Sequence, residues 1–186
     1  MAVERVEQLL RKVTGALEVA GIPYAVIGGN AVAAWVATVD ELAVRATKDV
    51  NILLRREDLE RAAAAVAPAG LIPAEVFGVP MFIDRERPSP RSAVHIVIAG
   101  ERVKPSDTYA APDPVTAARP AAGFKVLDFY ELLAMKLQAF RPADRTHIED
   151  LLELGLLAES LVARLPADLR TRFDEIEREW KIRQPE

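Results

Sequence analysis

Tyr24-Ala25-Val26-Ile27-Gly28-Gly29-Asn30-Ala31 is the stretch that decides the fold. Four apolar residues that suit a short strand run straight into a glycine pair. The alanine-rich segment to Val36 that follows reads as a helix. A strand, a glycine pair and a helix start make a junction that exposes backbone N–H groups at the positive end of the helix dipole. By itself the pair reads first as a tight turn, and it carries too few glycines for a P-loop or a dinucleotide fingerprint. After a polar connection, Asp40 to Lys48, comes Val50-Asn51-Ile52-Leu53-Leu54, a buried strand with Asp49 at its mouth. Side chains alternate along a strand, so Asp49 and Asn51 share one face and Val50 takes the other.

Working outward, Val3, Val6, Leu9, Leu10, Val13 and Leu17 recur at helical spacing, and Gly21-Ile22-Pro23 ends that helix. Arg56 to Val66 reads as a helix, Glu75 to Ile83 as a strand or hairpin arm, and Ala93 to Ala99 as a second buried strand interrupted by His95. Residues 105–123, which include Pro105, Pro112, Pro114 and Pro120, read as a linker from an α/β core, residues 1–104, to a helical part, residues 124–186, packed on it. In that part Asp128 caps a helix over Phe129 to Phe140. Thr146-x-x-Glu149 reads as the capping box of a helix to Leu154, Glu159 to Leu165 as a short helix, and Pro166 as the first turn of a last one. Lys136 falls inside the apolar stripe of Leu132, Leu133, Leu137 and Phe140, so its charge must snorkel, pair or bind something. The order of elements predicts an α/β (α+β) fold: a small mixed sheet flanked by helices, then an α-helical subdomain.

Composition narrows the function. Cys 0 excludes a disulfide framework, a thiolate zinc site and a catalytic cysteine, and His 2 argues against a multi-histidine metal site. A net charge of -4 argues against a general DNA binder. No apolar run is long enough to span a bilayer, and the charged N-terminus has no signal-peptide core, so the cytoplasm is the expected compartment.

Together, Gly28-Gly29-x-Ala31 and Arg45-x-Thr47-x-Asp49-x-Asn51 resemble the signature of the nucleotidyltransferase superfamily. The form of these motifs is most similar to that of the AbiEii-type abortive-infection nucleotidyltransferases. Leu132-Leu133-x-x-Lys136-Leu137-x-Ala139, followed by Arg141, Arg145, Asp150 and Leu151, resembles the helical stretch of the same family. The resemblance implies a cleft between core and helical subdomain that binds a nucleoside triphosphate. It implies transfer of a nucleoside monophosphate to an RNA, such as a transfer RNA, or to a protein, within a toxin–antitoxin system. It makes Gly28, Gly29, Arg45, Thr47 and Lys136 nucleotide-binding. It places catalysis at Asp49, Asn51 and His95, and Mg²⁺ or Mn²⁺ at Asp49 and Asn51.

The sequence departs from that pattern at the metal. The family uses three carboxylates. Here Asn51 stands for the second, and His95 is the polar residue on the strand expected to carry the third. Mg²⁺ prefers oxygen ligands, and imidazole is a poor substitute. Asp84 is the remaining acidic candidate for the lost carboxylate. The expectation is a degenerate site with weakly bound metal and weak or absent transfer. The other reading is a catalytically inactive module that binds a nucleotide, an RNA or a protein partner.

Overall fold

The computed structural model describes residues 2–118 and 123–183; residues 119–122 of the expected linker, Pro120 among them, lie outside it. The amphipathic N-terminal segment forms α1 (Ala2–Val19). Its Leu10, Val13 and Leu17 are buried, and the turn beyond it is made at Gly21 with φ 63°. The apolar run before the glycine pair is β1 (Ala25–Ile27), which passes without a loop into α2 (Gly28–Val36). A polar loop leads to β2 (Val50–Leu54).

The segment from Arg56 is not one helix. A short 3-10 turn, Arg56–Asp58, precedes α3 (Leu59–Val66). The arm expected at Glu75 to Ile83 is a full hairpin of β3 (Leu71–Val76) and β4 (Val79–Asp84), turned by Phe77 and Gly78, both at positive φ. Pro73 is tolerated in β3 because that strand is the edge of the sheet. β5 (Val94–Ile98) follows.

The sheet is mixed, with order β1-β2-β5-β4-β3. β2 and β5 are parallel, and the other neighbours are antiparallel. Register decides what faces what. Val50, Ile52 and Leu54 pair with Val94, Ile96 and Ile98, so these six buried residues share one face. Asn51 pairs with His95 and Leu53 with Val97 on the other face. Asn51 is also the partner of Ile27 on β1, and His95 that of Met81 on β4.

The chain then crosses the molecule, with Arg55 and Asp113 ion-paired at 2.8 Å along the way. Two backbone bonds tie residues 125–127 to β1: Val26 N–H donates to Lys125 O, and Leu127 N–H to Val26 O. This covers the edge of β1 that β2 leaves open. Trp35 of α2 donates its indole N–H to Leu127 O at 3.1 Å and meets Phe129 edge-on.

Asp128 caps α4 (Phe129–Ala139) through Tyr130 N–H, as the sequence suggests. The helix stops one residue before Phe140, which turns the chain at φ 48°. α5 (Pro142–Glu153) begins four residues before the expected capping box. Pro142 fits the first turn, and the Asp144 side chain accepts from the Arg141 N–H at 3.2 Å, which caps the helix start there. Thr146 instead donates to Pro142 O within the helix. α6 (Glu159–Val162) and α7 (Ala167–Arg183) complete the fold.

One apolar core runs from α1 and the sheet through α2 to Phe124, Val126, Leu127, Leu132 and Leu151. A second lies among the last four helices, around Leu137, Ile148, Leu169 and Phe173. No helix among the described residues is long and apolar enough to cross a membrane.

Candidate functional site

The site lies where β1 gives way to α2, beside the N-terminal ends of β2 and β5. Gly28 sits at φ 72°, a conformation that side-chain-bearing residues rarely adopt. It lets the chain turn from strand to helix in a single step. No side chain among the described residues caps the start of α2, whose preceding residue is Ile27. Both glycines also admit neighbours. A Cβ on Gly28 would lie 3.1 Å from Asn51 Nδ2, and one on Gly29 would lie 2.8 Å from Thr47 Oγ1 and 3.7 Å from His147 Cε1. Gly28, Gly29, Thr47 and Asn51 are therefore one packed group, joined by His147 from α5.

Asn30 was not singled out by the sequence. It is buried, and its amide donates to Asp49 O at 2.7 Å, which fixes the entry to β2. Asp49 is exposed at that entry, and its negative charge helps hold the Arg141 guanidinium in its protonated form. His95 stands beside Asn51 on the same face and is half-buried. Asp84 does not join them. Its carboxylate accepts from the backbone N–H groups of Glu86 and Arg87 at 2.9 Å each, which lowers its pKa and commits it to the turn after β4.

Beside the Gly28-Gly29 turn, α4 and α5 hold a charged cluster. Lys136 and Asp144 are buried, with Nζ 2.8 Å from Oδ1. Lys136 therefore does not snorkel: its charge is paired within the fold. Its amine also lies 2.9 Å from His147 Nδ1. Arg141 reaches the other oxygen of Asp144 at 2.7 Å. Burial opposes the ionisation of Asp144, but hydrogen bonds and charge from Arg141 and Lys136 outweigh it, and its pKa falls below the ordinary range. Burial likewise draws the Lys136 pKa down, with Asp144 acting against it. His147 is pushed down to about 4, first by burial and then by the Lys136 charge.

Arg45, expected on the nucleotide, makes a two-pronged ion pair with Asp150 of α5 at 2.7 and 2.9 Å. Arg145 turns away altogether, onto Glu175 and Glu179 of α7. Of the expected residues, Gly28, Gly29, Thr47, Asn51 and His95 thus meet on the sheet side, with Asp49 at the rim. Arg45 and Lys136 anchor α5 over them. The sequence signal for Asp144 was the Pro142-x-Asp144 helix start, which the more familiar Thr-x-x-Glu pattern overshadowed.

The donor set does not suit two hard cations. Asp49 is one carboxylate, Asn51 offers an uncharged oxygen and His95 an imidazole. Among the described residues no group of three or more His, Cys, Asp or Glu side chains is placed to hold a metal ion.

No curated protein matches the chain. Solved structures do. A solution structure of the antibiotic-resistance factor ANT(2'')-Ia superposes with a TM-score of 0.58 at 18% identity, over 98% of this chain and 97% of that one. An antigenic nucleotidyltransferase-like protein from Paracoccidioides brasiliensis gives 0.57 at 14% identity, over 96% and 90% of the two chains. A crystal structure of ANT(2")-Ia in complex with adenylyl-2"-tobramycin gives 0.55 at 16% identity, over 91% and 97%. At these identities the likeness establishes a shared fold, the nucleotidyltransferase one. The model of the nucleotidyl transferase AbiEii toxin family, of type IV toxin–antitoxin systems, matches residues 16–184. Matched over nearly its whole length, the chain belongs to the AbiEii nucleotidyltransferase toxin family.

Proposed function

We propose that the protein binds a nucleoside triphosphate in the cleft between the sheet and the α4–α5 pair, and that transfer of a nucleoside monophosphate from it is very weak or lost. The observation that carries this reading is the register of Asn51 with His95 beside the Gly28-Gly29 turn. The binding elements of the fold stand together there, and two of the three carboxylates expected from the family are replaced. The uncapped start of α2 offers N–H groups to a phosphate. Thr47 lies against Gly29, and the ion pairs of Arg45 and Lys136 hold α5 opposite.

Catalysis in such a site would need two cations to bring the attacking and leaving oxygens together and to offset their charge. One carboxylate is a poor anchor for them, so no step is assigned to a metal. Any remaining transfer would reach an RNA, transfer RNA included, or a protein in the cytoplasm. Membership of a toxin–antitoxin family supports a partner antitoxin as well.

A second reading has its own support. Arg45 and Lys136 are already engaged by Asp150 and Asp144, as in a cleft that serves an RNA or protein partner without a nucleotide. Calorimetric titration of each nucleoside triphosphate, followed by radiolabel transfer to cellular RNA and protein, separates the two. The first reading expects heat from at least one triphosphate and little label transferred. Silence from every triphosphate selects the second, and robust transfer abolished by Asp49→Ala overturns the claim of degeneracy.

A further inference from the structure

Three cations meet two carboxylates around the cleft. Asp144 is met by Lys136 and Arg141, and Asp150 by Arg45. That leaves Asp49 as the negative group at the sheet edge, within the field of Arg141. A triphosphate normally needs divalent cations in such a fold because carboxylates face it. With Asn51 and His95 in their places, that wall of negative charge is gone.

Two groups at the start of α5, Arg141 just before it and His147 within it, can meet a polyphosphate directly. Arg141 uses Nε and Nη2 on Asp144, and its side chain remains 62% exposed, so it still presents N–H bonds to solvent. His147 has its Nδ1 against the Lys136 ammonium, which can only donate. That contact assigns the ring proton to Nε2, which makes no hydrogen bond to a described residue. The adjoining Cε1 is the ring atom that lies against Gly29.

We propose that the cleft holds the polyphosphate of a nucleotide without a divalent metal, with Arg141 and the Nε2–H of His147 meeting its charge from α5 across the Gly28-Gly29 turn. The inference rests on the nucleotide-binding reading and specifies how that site is charged. Lys136 and Asp144 act as positioning residues: they set the tautomer of His147 and hold Arg141 in place.

The test is calorimetric titration of inorganic tripolyphosphate and of ATP, GTP, CTP and UTP, each in EDTA and in excess Mg²⁺. Binding in EDTA within about threefold of that in Mg²⁺, weakening as salt rises, is the expected result. His147→Gln keeps an N–H directed at the cleft and should stay within about threefold of wild type, while His147→Leu and Arg141→Gln each lose about tenfold or more. Circular dichroism confirms that the variants are folded. The imidazole NMR signal of His147 should also titrate at higher pH once tripolyphosphate is bound, because an anion favours the charged ring. Binding that requires Mg²⁺ overturns the metal-free site and leaves the nucleotide reading intact. Binding in EDTA that His147→Leu and Arg141→Gln leave unchanged overturns the assignment to α5. No heat from any probe in either condition overturns the nucleotide reading itself.

Discussion

Lys136 Nζ lies 2.8 Å from Asp144 Oδ1 and 2.9 Å from His147 Nδ1, so one buried amine joins α4 to two residues of α5. A lysine in an apolar stripe is costly unless its charge is met, and here it is met twice. The cluster ties α4 to α5 beside the Gly28-Gly29 turn, where His147 lies against Gly29.

Removing one partner should therefore be worse than removing both. Lys136→Met leaves Asp144 buried with Arg141 alone and should cost about 3 kcal/mol. The double change Lys136→Met with Asp144→Leu should recover much of that loss, because neither charge then remains uncompensated. Urea unfolding of the three variants measures the coupling, and additive losses would show that the pair does not act as a unit.

Acid should weaken the protein in a defined window. The His147 pKa is about 4 in the folded chain, against 6.5 when unperturbed. Between those values the unfolded chain binds the extra proton, so stability falls as pH drops below about 6.5, and the loss is complete near 4. The lowered pKa of Asp144 acts in the same direction: its contribution is present above the unfolded carboxylate value and is lost as pH falls through the folded one. Burial sets the His147 value first, and the charges of Lys136, Asp144, Asp150 and Arg45 adjust it. Allowing for solvent at this half-buried ring, the His147 share is about 1–2 kcal/mol. Denaturant midpoints from pH 7 to pH 4 for wild type and His147→Gln check it: the variant should lose part of the slope.

Restoring the carboxylates should change the chemistry of the cleft. Asn51→Asp with His95→Asp adds two hard anionic ligands in register on β2 and β5, beside Asp49. Mg²⁺ should then bind measurably, and triphosphate should bind well only in its presence, since the cleft again repels a bare polyphosphate. Titration of Mg²⁺ alone, then of ATP with and without EDTA, reads both effects. Unchanged Mg²⁺ affinity would mean that the two positions do not share a site with Asp49.

Gly29 offers a steric test. A Cβ there would stand 2.8 Å from Thr47 Oγ1, a separation that forces a shift. Gly29→Ala should cost about 1–2 kcal/mol and weaken nucleotide binding. Adding Thr47→Ala removes the clashing oxygen and should return most of the stability, though not the hydroxyl. Thermal unfolding of the single and double variants decides it.

The sequence by itself determined four of the five strands, most of the helices and the order in which they run, because apolar spacing and glycine or proline punctuation are local signals. It also pointed to the family, through two short motifs. It misread Thr146-x-x-Glu149 as a helix start because capping boxes recur by chance. The Pro142-x-Asp144 start won because Asp144 is held in place by Lys136 and Arg141 as well. Only the tertiary structure decided how the charges pair. Lys136 lies eight residues from Asp144, Arg45 one hundred and five from Asp150, and Gly29 meets His147 from a helix at the other end of the chain. Such partners are chosen by packing across distant segments. A buried charge takes whichever opposite charge the fold brings within about 3 Å, and no spacing along the chain records that choice.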